Sequence, residues 1–143
     1  MLILQNDAME KIRFYAQKEY PKECCGIMLG RRFGEQRIVY KVIPTRNMMD
    51  ERRITTCFLI NPLEIVKAEL QAEEKKHEII GFYHSHTDYE AVTSSADVNQ
   101  MIAGYSYPIV SVKNGICDQV RSFEKRIQTD TDAEEEKILV KEK

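Results

Sequence analysis

The segment Asn61-Pro62-Leu63-Glu64 constrains the fold more than any other stretch, because each of its residues favours the same event, the start of a helix. Asparagine is a preferred N-cap. Proline fits the first helical position, where its missing N–H costs nothing, and Glu64 stands where a capping box needs an acid. Leu63, Ile65, Val66 and Leu70 then predict one buried face. Apolar runs flank this helix on both sides, TCFLI (56–60) and HEIIGFYHSH (77–86), and both read as strands.

The remaining segments follow the same logic. Residues 6–19 keep helical spacing through Met9, Ile12, Tyr15, Ala16 and Glu19, with Asn6 or Asp7 as cap and Pro21 as the stop. CCGIMLG (24–30) and RIVYKVI (37–43) read as a hairpin turning at Gly34, and residues 44–53 as irregular. A short helix is expected from Ser94 to Gly104. YPIVSVK (107–113), CDQVRSFEK (117–125) and EEKILVKEK (135–143) are expected as three late strands, with turns at Asn114-Gly115 and around Thr129–Asp132. Within that last region, the charged run Ala133–Lys137 reads as a solvated strand entrance. The sum is an α+β (mixed α/β) fold, a sheet with two main helices and a third short one, and the length of 143 residues fits one domain, 1–143.

Composition removes several function classes. A net charge of −2, with Arg52-Arg53 as the densest basic cluster, argues against nucleic acid as a partner. No apolar run reaches the roughly 20 residues of a membrane helix, and the N-terminal stretch lacks the marks of a signal peptide. Cys24, Cys25, Cys57 and Cys117 show no C-x-x-C spacing, so reduced, mostly buried thiols in a cytoplasmic protein are expected. A redox role for Cys24 or Cys25 would need a resolving partner that the spacing does not offer. His77 is expected on the surface, and Tyr83 and Tyr105 in packing.

Chemistry concentrates in His84-Ser85-His86. Residues two apart on a strand face the same side, so both imidazoles converge where the strand ends. Ser94 and Asp97 follow at capping-box spacing, which alone would merely start a helix. The same geometry also aims a hydroxyl and a carboxylate at the helix's open end. Two histidines with one carboxylate form a catalytic type of zinc set, because a position stays open for water or substrate. Iron, cobalt and manganese would accept the same donors. A deaminase would need H-x-E with P-C-x-x-C, and a zincin H-E-x-x-H; neither string occurs.

The segment GFYHSHTDYEAVTSSAD resembles the zinc motif of the JAMM (MPN-plus) metallopeptidases: H-x-H, seven residues, S-x-x-D. YPKECCGIMLG resembles the segment that carries their upstream glutamate, and the likeness extends over at least residues 6–125. The resemblance implies a cytidine-deaminase-like MPN fold. It implies that His84, His86 and Asp97 hold one Zn2+ with a water as fourth ligand, that Glu23 is the general base, and that Ser94 hydrogen-bonds the oxyanion. Thr87 and Thr93 stand where the family often has proline, which bears on the rigidity of the loop between them. The family cuts after the C-terminal Gly-Gly of ubiquitin-like proteins. A chain this short resembles the minimal prokaryotic type, which implies a ubiquitin-like sulfur-carrier protein as partner, with either cysteine release or lysine isopeptide cleavage as the reaction. An extended Gly-Gly tail would suit β-augmentation, with the 44–58 segment, including Arg52, Arg53, Thr55 and Thr56, and loop 87–93 as candidate walls. Related domains commonly dimerise. The competing class is a non-catalytic interaction module on the same fold.

Overall fold

The computed structural model describes residues 1–142. Its elements are β1 (Leu2–Gln5), α1 (Asn6–Glu19), β2 (Cys25–Phe33), β3 (Gln36–Thr45), α2 (Pro62–Glu74), β4 (Glu78–Thr87), α3 (Ser95–Gln100), β5 (Tyr107–Lys113), β6 (Ile116–Glu124), β7 (Glu134–Glu136) and β8 (Ile138–Lys141). Eight strands form one mixed sheet in the order β7-β6-β5-β4-β2-β3-β1-β8. β4 lies centrally, antiparallel to β2 and parallel to β5. The α+β architecture expected from the sequence is the one observed.

Strand alternation builds two cores, one on each face of the sheet. Ile80 and Tyr83 of β4 join α1 residues Ala8, Met9, Ile12 and Ala16 on one side. Ile79 and Phe82 join Ala68 and Ala72 of α2 and Val98 of α3 on the other. His84 and His86 continue the Phe82 face, towards α2 and α3. Tyr83 is fully buried, and its ring occupies the space a side chain would need at its cross-strand partner Gly26.

Several expectations are corrected. TCFLI is not a strand, because Asn47 claims its backbone. The Asn47 amide donates to Cys57 O at 3.0 Å, its carbonyl accepts from Leu59 N at 3.0 Å, and Met48 N–H donates to Leu59 O at 2.8 Å. α2 presents the other face: Leu63, Val66 and Leu70 are 65%, 51% and 59% exposed, whereas Ala68 and Ala72 are buried and Ile65 packs beside them. Leu63-Val66-Leu70 and Ile65-Ala68-Ala72 repeat with the same helical spacing on opposite sides, so periodicity cannot choose between them. The small alanines win because they let the helix approach the sheet. Asn61 does cap α2, accepting from Leu63 N–H. At the α1 start the N-cap position falls on Gln5, which makes no side-chain cap bond, while Asp7 Oδ1 accepts from Ala8 N–H at 3.0 Å within the first turn.

At the other end of the chain, the expected strand 135–143, whose last residue lies outside the described residues, is two strands on opposite edges of the sheet. β7 pairs with β6 and β8 runs parallel to β1, a short strand of four residues that the sequence reading passed over. Glu136 is therefore buried rather than solvated. It accepts from Ser122 Oγ at 2.8 Å and lies 3.5 Å from Arg37 Nη1. α3 stops at Gln100, short of Gly104, because Met101 takes an extended conformation.

Candidate active site

The end of β4 delivers two buried imidazoles, His84 at 2% and His86 at 0% exposure, with their Nε2 atoms 3.3 Å apart. Asp97, in the first turn of α3, faces both. Its Oδ1 is 3.2 Å from His84 Nε2 and its Oδ2 is 2.9 Å from His86 Nε2. One donor atom from each residue lies within 4.8 Å of the others, a cluster that could hold a metal ion. The capping box is present in the same place: Ser94 Oγ accepts from Asp97 N–H at 3.0 Å, and Asp97 Oδ2 accepts from Ser94 N–H at 2.9 Å. Helix cap and site are one structure, because the box is what turns the Asp97 carboxylate towards β4.

The chemistry of this donor set fits a cation. His86 Nδ1 lies 2.8 Å from Glu90 O; a carbonyl can only accept, so Nδ1 carries a proton, and with a cation bound Nε2 would turn its lone pair to the centre. Two imidazole nitrogens and a carboxylate pointing at one another need positive charge between them. Each imidazole is also backed by an aromatic ring: Phe58 stacks on His84 at 4.4 Å and Tyr89 on His86 at 4.2 Å. His84 Nδ1 is buried and has no hydrogen-bond partner among the described residues. Burial depresses the His84 pKa, and the hydrogen bond with Asp97 opposes it. Burial acts to raise the Asp97 carboxyl, but the bonds from His84 and His86 outweigh it and hold the group well below the usual range.

Glu23 sits just ahead of β2, only 2% exposed. Its backbone is fixed at both ends, N–H to Ile54 O at 2.9 Å and O from the Asn47 amide at 2.9 Å. The Tyr89 hydroxyl donates to Glu23 Oε2 at 3.2 Å. Burial first, then the negative charge of Asp97, push the Glu23 carboxyl up to about 8, while the Tyr89 hydrogen bond draws it down. The structure thus brings Glu23, His84, His86, Ser94 and Asp97 together. Tyr89 was missed by the sequence reading; its only signal was an aromatic in the loop that joins His86 to Ser94.

That loop lacks proline yet is tied down along its length. Thr87 Oγ1 donates to Thr55 O at 2.7 Å, Asp88 N–H to Val112 O at 2.7 Å, and Ser111 Oγ to Tyr89 O at 2.6 Å. Asp88, at φ 65°, accepts from the Tyr20 hydroxyl at 2.6 Å and from Asn114 N–H at 2.9 Å.

Two cavities flank the cluster. An apolar one of about 150 Å3 runs from His84 and Asp97 past Phe58, Phe82, Met101 and Ile102. A polar one of about 510 Å3 opens beside Glu23, bounded by Glu19, Lys22, Arg46, Asn47 and Glu51. Arg52, Arg53 and Thr56 line neither, although Glu51 and Ile54 of the same segment line the polar one and Phe58 the apolar one. All three are exposed, and Thr56 Oγ1 merely donates to Arg53 O within its own turn, at 3.3 Å. Cys24 and Cys25 are buried thiols pushed up to about 12 and about 11, chiefly by burial, so neither is a ready thiolate. His77 is half-buried and stacks on Tyr40 at 5.0 Å. Among the described residues, no helix is long and apolar enough to cross a membrane.

Comparison with known proteins identifies the family. Residues 5–124 match the family described as prokaryotic homologs of the JAB domain. The chain is 30% identical over 115 residues to a desampylase of Haloferax volcanii, covering 77% of this chain and 80% of that one. It is 29% identical over 123 residues to a probable TtuB-protein conjugate cleaving protease of Thermus thermophilus, covering 86% and 75% respectively. The solution structure of a Desulfitobacterium hafniense protein superposes with a TM-score of 0.86 at 28% identity, over 100% of this chain and 94% of the other. A JAB1/MPN domain protein from Archaeoglobus fulgidus shares the fold, with a TM-score of 0.61 at 14% identity, covering 98% and 96%. The chain belongs to the family of prokaryotic JAB-domain proteins.

Proposed function

We propose that this chain is a zinc-dependent peptidase that hydrolyses the amide bond following the C-terminal Gly-Gly of a ubiquitin-like sulfur-carrier protein. The observation that carries the reading is the convergence of two buried imidazoles and one carboxylate beside a separate buried glutamate. Three protein donors leave room for a further ligand, which is the catalytic rather than the structural pattern of zinc binding. The relatives named as a conjugate-cleaving protease and a desampylase support the substrate class.

Held by His84, His86 and Asp97, a zinc ion would polarise the scissile carbonyl and bring the pKa of a coordinated water towards about 7. Glu23, whose ionised form the positive charge of a bound cation would favour, accepts the proton of the attacking water and passes it to the departing amine. Its burial keeps competing solvent away from that transfer. Ser94 uses one lone pair as the helix cap, which leaves its O–H free to donate to the oxyanion. The apolar cavity beside His84 and the polar one beside Glu23 give the two halves of a scissile bond different surroundings.

The test is hydrolysis of a ubiquitin-like carrier bearing either a lysine isopeptide or a C-terminal cysteine beyond Gly-Gly, followed by mass spectrometry. The zinc-loaded protein should cut at least one after the second glycine, and Glu23→Gln should retain zinc and cut neither. Wild type that binds zinc but cuts neither substrate would favour a non-catalytic interaction module.

A further inference from the structure

We infer that Tyr89 is a positioning residue that joins the base to the histidine pair, its ring holding His86 and its hydroxyl orienting Glu23. This deepens the peptidase reading and rests on it.

The geometry supplies both halves of the role. The Tyr89 ring lies over the His86 imidazole at 4.2 Å with an interplanar angle of 17°, so it adds a stacked face to a ring whose edges are held by Glu90 O at Nδ1 and Asp97 Oδ2 at Nε2. The Tyr89 hydroxyl reaches Glu23, 66 positions away in sequence, and donates to Oε2 at 3.2 Å. Among the described residues, no other side chain hydrogen-bonds that carboxyl group. A carboxylate with two free oxygens can rotate; engaging one of them fixes the direction of the other. For a base that must meet a water at hydrogen-bond distance, that direction decides whether the proton transfers.

Tyr89 is itself anchored without help from Glu23. The buried Ser111 hydroxyl donates to its carbonyl, and Asp88 before it is fixed by bonds to Val112, Asn114 and Tyr20. Its position is therefore set by the ends of β5 and α1 and imposed on the base, as preorganisation requires. The residues that pin the backbone near Glu23, Asn47 and Ile54, do not reach the carboxyl. Orientation of the reacting group falls to Tyr89.

The test compares wild type with Tyr89→Phe, which keeps the ring and loses the donor, and Tyr89→Leu, which loses both. Zinc affinity is read by chelator competition, independently of activity, and kcat and KM are measured on whichever conjugate wild type cuts. Tyr89→Phe should keep wild-type zinc affinity and KM while kcat falls about 10-fold or more, and Tyr89→Leu should in addition weaken zinc binding about 10-fold. Wild-type kcat in Tyr89→Phe, or wild-type zinc affinity in Tyr89→Leu, would overturn the inference. If Tyr89→Leu fails to fold by circular dichroism, Tyr89→Phe decides alone. A wild type that binds no zinc defeats the peptidase reading and this inference together; a competent wild type with indifferent variants defeats only the inference.

Discussion

The Cys24 main-chain N–H donates to Ser85 Oγ across 2.7 Å of fully buried space, and Ser85 N–H returns a bond to Cys24 O at 3.0 Å. The residue between the two histidines thus fixes the backbone beside Glu23, so the strand that presents the imidazoles also sets the height of the base. Ser85 points to the opposite side of β4 from His84 and His86, which is why it holds the frame without entering the site.

Replacing Ser85 with alanine should leave the Cys24 N–H buried and unpartnered. The expected cost is about 1–3 kcal/mol, the desolvation penalty of an orphaned donor. Urea unfolding of the two proteins measures it. Hydrolysis should fall while zinc content holds, since His84, His86 and Asp97 are left intact.

Stability should depend on pH through Glu23. Its carboxyl titrates at about 8 in the fold against an ordinary 4.5, so between those values the folded chain binds more protons than the unfolded one. Stability therefore falls as pH rises: the contribution is fully present below 4.5 and is lost as pH passes through about 8. Urea midpoints of chelator-treated protein should drop across that window, and Glu23→Gln should flatten the drop. An identical slope in both proteins would show that Glu23 does not carry it.

α2 offers a test of which helix face packs. Leu70→Lys, on the exposed side, should change stability by less than about 0.5 kcal/mol. Ala68→Leu, on the side against the sheet, should overpack and cost about 1–3 kcal/mol. Thermal unfolding of both variants gives the order, and the reverse order would mean that the helix packs through its leucines.

Much of the architecture was legible because local signals agreed. Asn61-Pro62 started α2, Gly34 turned the β2–β3 hairpin, and the positive φ values of Asn114 and Gly115 mark the turn expected there. Strand and helix periods made the pairs His84–His86 and Ser94–Asp97 readable; that the two pairs meet was implied only by the resemblance of the combined motif. What the sequence concealed depends on partners distant along the chain. Asn47 takes hydrogen bonds that would have made TCFLI a strand, β1 needs β3 and β8 to exist, and Glu136 is buried only because β7 falls beside β6. Tyr89 and Ser85 were hidden for the same reason, since each acts on a residue more than 60 positions away.

Zinc content by mass spectrometry, on wild type and Asp97→Ala purified without added metal, tests the central claim most directly. Wild type should carry about one zinc per chain, and the variant, left with two protein donors, should lose it. A wild type that holds no zinc and takes none up when it is supplied would contradict the peptidase reading at its foundation.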